Sequence, residues 1–416
     1  MTSMTKLPPH TVCLLAMLFL SVVAASGAES HWVTTWATSP AASEHPTLFS
    51  NQTIREIVHI TIGGSAVRLR LANTFGTQAL RLDAVFVGLQ KNAATLVAQS
   101  NHMVTFGESR TIAIPEGAEV LSDPVSFVVG PEQNLVVSLF VAGDSGPATS
   151  HWLALQTSYI SGAGDFAGEE GGSGFEENHG SKTTGSWYFL SAVEVLAPAS
   201  VKGAFVVLGD SITDGTSARS DRNERWTDVL AHRLLTDNKN MAVVNAGIAG
   251  NRVLTSSPCF GQNAVARLRR DVLSQVGIEA VILFEGTNDI GQPDTPSAAT
   301  NPCLTRTPVT PDEIIVGYKQ IIARTHAAGL KIFGATILPY QGYVGWTAKG
   351  EAKRLAINQW IRTSGTFDAV IDFDRALRDP ADPARLAPGF DSGDHLHPGT
   401  AGHEAMGNSV DLTLFR

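Results

Sequence analysis

Short apolar runs that alternate with polar residues fill the first part of the chain, from His31 to about Ala197. Such runs cover Ile54 to Ile62, Ala66 to Ala72, Leu80 to Gly88, Thr111 to Ile114, Val125 to Val129 and Leu135 to Val141. Val67-Arg68-Leu69-Arg70-Leu71 shows the period of two that a half-buried strand requires. Gly63-Gly64, Asn73-Thr74-Phe75-Gly76 and Gly130-Pro131 punctuate the runs as turns, and no long helical period intervenes. The pattern predicts an antiparallel, jelly-roll-like β-sandwich. A Gly-rich, acidic stretch from Gly162 to Gly185 reads as a mobile loop before a last strand at Trp187 to Leu196. Its carboxylates lack the alternating spacing of a calcium loop.

After Ala197-Pro198-Ala199-Ser200 the texture changes. A β-branched, apolar run at Phe205 to Leu208 predicts a buried strand, and further strands are expected at Ala242 to Val244, Ala280 to Phe284, Lys331 to Ile337 and Ala369 to Phe373. Between them lie helical patterns. Trp226, Val229, Leu230 and Leu234 recur at helical spacing. Thr310-Pro311-Asp312-Glu313 supplies an N-cap, a proline at the first helical position and early acids, and Gly329 supplies a stop. A further helix is expected from Thr400 to about Leu412. Strands alternating with helices predict a parallel three-layer α/β sheet. The expected division is therefore 1–28, 29–197 and 201–416.

The first of these segments is set apart by Val12 to Ala25, an apolar run behind Lys6 and ahead of Ser26-Gly27-Ala28. It is shorter than the roughly 20 residues of a membrane-spanning helix. It reads as a signal peptide with a small-residue cleavage site, the alternative being an uncleaved anchor. Export, to the periplasm or the extracellular space, is the expectation. Of three cysteines, Cys13 falls in this segment, leaving Cys259 and Cys303. An even pair in an exported chain suggests a disulfide, with two buried thiols as the alternative. The net charge of −9 argues against nucleic acid or an anionic membrane surface as the main partner.

Candidate chemistry begins at the end of the first buried strand, in Gly209-Asp210-Ser211-Ile212. A serine delivered at the carboxyl end of a strand can expose its hydroxyl and aim its own N–H at the same point. Ala246-Gly247-Ile248-Ala249-Gly250-Asn251 follows the second strand, Gly286-Thr287-Asn288-Asp289 the third, and Asp394-His395-Leu396-His397-Pro398 lies near the end. These blocks, in this order from Val201 onward, resemble the SGNH (GDSL) hydrolase family.

The resemblance implies a flavodoxin-like fold and a serine hydrolase. Ser211 is the implied nucleophile, His397 its base and Asp394 the orienting acid. The implied oxyanion donors are the N–H groups of Ser211 and Gly250 and the Asn288 amide, each worth on the order of 3 kcal/mol. His395 competes for the role of base, while His403, Asp210, Asp214 and Asp289 read as structural. Tyr340, Tyr343 and Trp346, on a loop after the fourth strand, could wall an acyl or sugar pocket, the alternative being ordinary surface packing. No metal-ligand spacing or phosphate loop is present, so no cofactor is expected. The expected activity is hydrolysis of small acyl esters on carbohydrate. A lysophospholipase-like or general carboxylesterase is the alternative within enzymes, and a carbohydrate-binding protein with a vestigial hydrolase half is the alternative outside them.

Overall fold

The computed structural model describes residues 1–2, 29–43 and 45–415. Residues 3–28 of the expected export signal lie outside the described residues. The N-terminal part is built from antiparallel sheets. A four-stranded sheet runs in the order His31–Ala37, Leu190–Ala197, Val67–Ala72, Glu119–Leu121. A seven-stranded sheet is built on Gln52–His59, Asn134–Val141 and Ala84–Asn92, with Ser158–Ala163 and Lys182–Thr184 beyond Gln52–His59. Val67, Leu69 and Leu71 point inward, as their alternation predicts, toward Ile54, Leu135 and Val137 of the facing sheet. The outward Arg68 and Arg70 both bind the buried Glu194, at 2.5 and 2.6 Å. The expected strand at Val125 to Val129 is reduced to isolated bridges at Val125 and Val129.

The Gly162 to Gly185 stretch is not a free loop. It covers the outer face of the seven-stranded sheet, where Arg55 is fully buried. The Arg55 guanidinium donates to the carbonyls of Phe166, Glu169 and Gly171 within this stretch and to Ala94. A planar fork with several fixed donors can tie down successive carbonyls at once. Burial lowers the Arg55 pKa to about 10, opposed by the charge of Glu169.

The C-terminal part is a five-stranded, all-parallel sheet in the order Met241–Gly247, Gly203–Gly209, Ile278–Phe284, Lys331–Ala335, Ala369–Ile371. Residues of the strand Gly203–Gly209 alternate between two apolar clusters. Phe205 and Val207 join Trp226, Leu230 and Leu234 of helix Trp226–Thr236 and Met406 of helix Thr400–Ser409. Val206 and Leu208 join Ile314, Ile321 and Ile322 of helix Pro311–Ala327, and Ile357 and Ile361 of helix Ala348–Thr363. Thr310 and Glu313 cap the helix Pro311–Ala327 reciprocally, and Gly329 follows in the left-handed region at φ +78°. The second of these apolar clusters continues without a break into the sandwich through Val33, Ala37, Val195 and Val201.

The strand Gly203–Gly209 has neighbours on both sides, and the chain runs from it to opposite edges of the sheet. The carboxyl ends of Gly203–Gly209, Met241–Gly247 and Ile278–Phe284 therefore border a topological switch point, where open α/β sheets leave a crevice.

Candidate active site

Gly209 ends its strand against the turn that follows. A Cβ there would lie 2.2 Å from Thr213 Oγ1 and 2.8 Å from the carbonyl of Phe284. Only glycine permits that close approach, and the chain turns at once into the short helix Ser211–Asp214. Asp210 caps this helix by accepting the Ile212 N–H at 3.0 Å. Ser211 is thus fixed at the mouth of the crevice, largely covered at 7% exposure.

The Ser211 hydroxyl lies 2.8 Å from Nε2 of His397. Nδ1 of the same ring lies 2.5 Å from Oδ2 of Asp394. A carboxylate at Nδ1 fixes the proton there, which leaves Nε2 as the acceptor facing the serine. Asp394 is itself held by the N–H groups of Leu396 and His397, at 2.9 and 2.8 Å, and by Ser392 Oγ at 3.0 Å. Partial burial opposes its charge, but the bonds from His397 outweigh it and hold the Asp394 carboxyl well below the usual carboxylate range. His395 points elsewhere, with Nδ1 2.6 Å from Asp391, and is half exposed. His403 is buried on the helix Thr400–Ser409, bonds the carbonyl of Thr216, and is pushed down to about 4 by burial.

The turn after Met241–Gly247 comes next to the serine helix. Ile248 N–H donates to the carbonyl of Gly209 at 3.0 Å, and Ala249 N–H donates to Oδ2 of Asp214 at 2.8 Å. Gly250 then adopts φ +79°, with the Phe260 ring where its Cβ would be. Among the described residues, neither the Ser211 nor the Gly250 N–H has an acceptor. Asn288 donates one amide hydrogen to the carbonyl of Asn251 at 3.0 Å. Its neighbour Asp289 accepts the N–H groups of Val253 and Leu254, at 2.8 and 3.3 Å, and burial pushes its carboxyl up to about 6.

Beneath these groups sits Arg267, fully buried and without a signal in the sequence. It donates to the carbonyls of Gly209 and Ala246, to the Asn251 side chain and to Ser39 Oγ, at 2.6 to 3.0 Å. Asp271 and Glu285 lie within 3.3 Å as its counter-ions. One guanidinium therefore ties together the ends of two strands and the turn that carries Gly250. Burial, reinforced by nearby Asp210, drives the Glu285 carboxyl well above its ordinary value.

The three aromatics after Lys331–Ala335 divide. Tyr340 is 1% exposed and packs in the core against Gly350, so it cannot wall an open pocket. Tyr343 and Trp346 are half-buried at the edge of that core, with Tyr343 against the helix that carries Asn288. Cys259 and Cys303 form a disulfide, Cα atoms 5.3 Å apart, next to Phe260.

Residues 207–405 match the GDSL-like Lipase/Acylhydrolase family. Among solved structures the chain is similar to a lipolytic protein of the G-D-S-L family from Desulfitobacterium hafniense, at 20% identity over 50% of this chain and 96% of that one, TM-score 0.37. It is similar to the acetyl xylan esterase AlAXEase at 19% identity, over 50% and 96% of the two chains, TM-score 0.39. Similarity to TesA is at 18% identity over 51% and 97%, TM-score 0.38. No curated protein matches the chain by sequence.

Proposed function

We propose that the chain, whose residues 207–405 match the GDSL-like lipase/acylhydrolase family, is an exported serine esterase acting on small acyl esters of carbohydrate. The observation that carries the chemistry is the unbroken run Ser211 Oγ to His397 to Asp394, at 2.8 and 2.5 Å. A serine hydroxyl attacks an ester only when a base takes its proton in the same step. In this reading His397 Nε2 takes that proton as Oγ bonds to the ester carbon. The carbonyl electrons move to oxygen, and the unpaired N–H groups of Ser211 and Gly250, with the second Asn288 amide hydrogen, receive the charge. The alcohol leaves with the proton from His397. Water, deprotonated by His397, then frees the acid from Ser211. Asp394 stabilises the imidazolium formed in each half-reaction.

A hollow of about 240 Å³ lies beside the Gly250 turn, bordered by Ala41, Ala42, Ser43, His45, Ser150, Trp152, Cys259 and Phe260. It shares the Phe260 ring that covers Gly250. Trp152 leaves 47% of its surface exposed there. An exposed indole and a phenyl ring offer apolar faces that suit the planar underside of a sugar ring better than a long acyl chain. The test is hydrolysis of acetylated glycans against p-nitrophenyl esters of rising chain length. Highest kcat/KM on acetylated glycan supports the reading. Rising kcat/KM with chain length would move it to a lysophospholipase-like or general carboxylesterase.

A further inference from the structure

His151 lies in the N-terminal sandwich, outside the family segment, yet it touches the serine helix. Its ring is 3% exposed and stacks beside Trp187, with centroids 5.7 Å apart. Nε2 faces Oδ1 of Asp214 at 2.9 Å, and Nδ1 faces the carbonyl of Ser39 at 3.0 Å. The Ser39 carbonyl is a pure acceptor, and so is Asp214 as a carboxylate. A neutral imidazole has one N–H and could satisfy only one of them, leaving a nitrogen lone pair pressed on an oxygen. Paired with Asp214 as a carboxylate, this geometry calls for both ring protons and a buried imidazolium. Arg225, Asp228 and His59 line the same hollow as His151 and Asp214. Arg225 donates to the carbonyl of Asp214 at 2.7 Å and lies 3.9 Å from Asp228. Burial and Arg225 work against the His151 charge, but Asp214 outweighs them and raises its pKa overall.

The second oxygen of Asp214 accepts the Ala249 N–H at 2.8 Å. Ala249 is the residue before Gly250, so one carboxylate bridges the imidazolium and the turn that aims the Gly250 N–H. Gly247 leaves no slack in this contact, since a Cβ there would meet the Asp214 N–H at 2.4 Å.

We infer that His151 is a positioning residue for the esterase reaction: as an imidazolium it fixes Asp214, and through Asp214 the Ala249–Gly250 backbone that receives the oxyanion. The inference rests on the serine-esterase reading and adds to it that the sandwich supplies part of the active-site scaffold. Neutralising or removing His151 frees Asp214 to turn, and the Gly250 donor loses its aim while Ser211 and His397 stay in place. Removal of one oxyanion donor costs about 10²–10³ in kcat, so mis-aiming one is expected to cost about tenfold or more.

The test uses the full chain and p-nitrophenyl acetate. His151→Gln is expected to lower kcat about tenfold or more with KM little changed, while fluorophosphonate still labels Ser211. Wild-type kcat is expected to fall on an alkaline limb as His151 loses its proton, and that limb is expected to vanish in His151→Gln. Asp214→Asn is expected to lower kcat likewise, and the double variant to be no worse than the poorer of the two single variants. Because the variants could lose fold, nitrogen chemical shifts of His151 in the wild-type protein give an independent reading, and both ring nitrogens protonated at neutral pH is the expected result. A neutral His151 ring at neutral pH, or a folded His151→Gln enzyme with wild-type kcat and pH profile, overturns the inference. A wild-type protein that cleaves no ester and takes no fluorophosphonate label overturns the esterase reading instead.

Discussion

Ser211 and His397 stand 186 residues apart in the chain, and the fold closes that gap to 2.8 Å between Oγ and Nε2. The contact joins the amino end of the helix Ser211–Asp214, directly after the strand Gly203–Gly209, to a loop just before the helix Thr400–Ser409. His395, two residues from His397, faces Asp391 instead.

Two histidines so close in sequence but opposite in direction allow a sharp test. Ser211→Ala and His397→Ala are each expected to cost roughly 10⁴-fold or more in kcat. The double variant is expected to be little worse than either, because the pair acts as a unit. His395→Ala is expected to keep near wild-type kcat. Equal losses at His395 and His397 would break the assignment of the base.

Most of the nucleophile side was legible because its signals are local. Gly209 and the β-branched run before it require a buried strand and a tight turn whatever the rest of the chain does. The blocks around Gly250, Asn288 and His397 likewise carry their turn chemistry in adjacent residues. What the sequence hid is polar burial. Helix Ala348–Thr363 escaped notice because its inner face carries Lys353, Arg354 and Asn358 beside Ile357 and Ile361. Arg354 there pairs with Asp374 at 2.6 Å, and Asn358 binds the backbone of Ile337. A hydrophobic period cannot reveal a face whose charges are neutralised by partners far off in sequence. Arg55, Arg267 and His151 were hidden for the same reason. Tyr340 is the converse case, since an aromatic among glycines reads as a loop wall and here is a core side chain.

Asp289 offers a test of burial through pH. Its folded pKa, about 6, exceeds the ordinary value of about 4, so the folded state binds more protons between those values. Its contribution to stability is full below about pH 4 and is lost as pH rises through about 6. The total change is roughly 2–3 kcal/mol for one fully buried carboxyl. Asp289→Asn removes the titration, so its urea-unfolding free energy is expected to decline less than that of the wild type across this window. Parallel curves for the two proteins would mean that the Asp289 carboxyl titrates normally.

The Cys259–Cys303 bridge closes a loop of 44 residues beside Phe260. Chain entropy assigns such a loop roughly 4 kcal/mol, less whatever order the reduced unfolded chain retains. Alkylation without reductant is expected to leave the peptides holding Cys259 and Cys303 unmodified and joined. With the bridge reduced, thermal unfolding is expected several degrees lower. Both cysteines alkylated in the unreduced protein would remove the bridge from the structure.

The sandwich and the parallel sheet are expected to work as one unit rather than as a catalytic domain with a detachable module. The chain crosses between them in the few residues after Ala197, too short and too Pro/Ala-biased for a flexible tether. Across the join, Thr34 N–H donates to the carbonyl of Val276 at 2.9 Å and Val276 N–H returns to Thr34 Oγ1 at 2.9 Å. Ser39 accepts from Arg267 and His151 meets Asp214, so polar bonds from the sandwich reach the scaffold of the crevice itself. Val33 and Ala37 share one apolar cluster with Val206, Val244 and Ala246 of the parallel sheet. Cutting the chain at Val201 would expose that apolar face, leave Arg267 and Asp214 each short of a buried partner, and create a patch that soluble monomers rarely tolerate. A fragment spanning Val201 to Arg416 is therefore expected to be insoluble or markedly less stable than the whole chain, and to have lost most of its kcat where it does fold. Cooperative unfolding of that fragment at the wild-type denaturant midpoint, with full esterase activity on the best substrate, would make the sandwich an accessory.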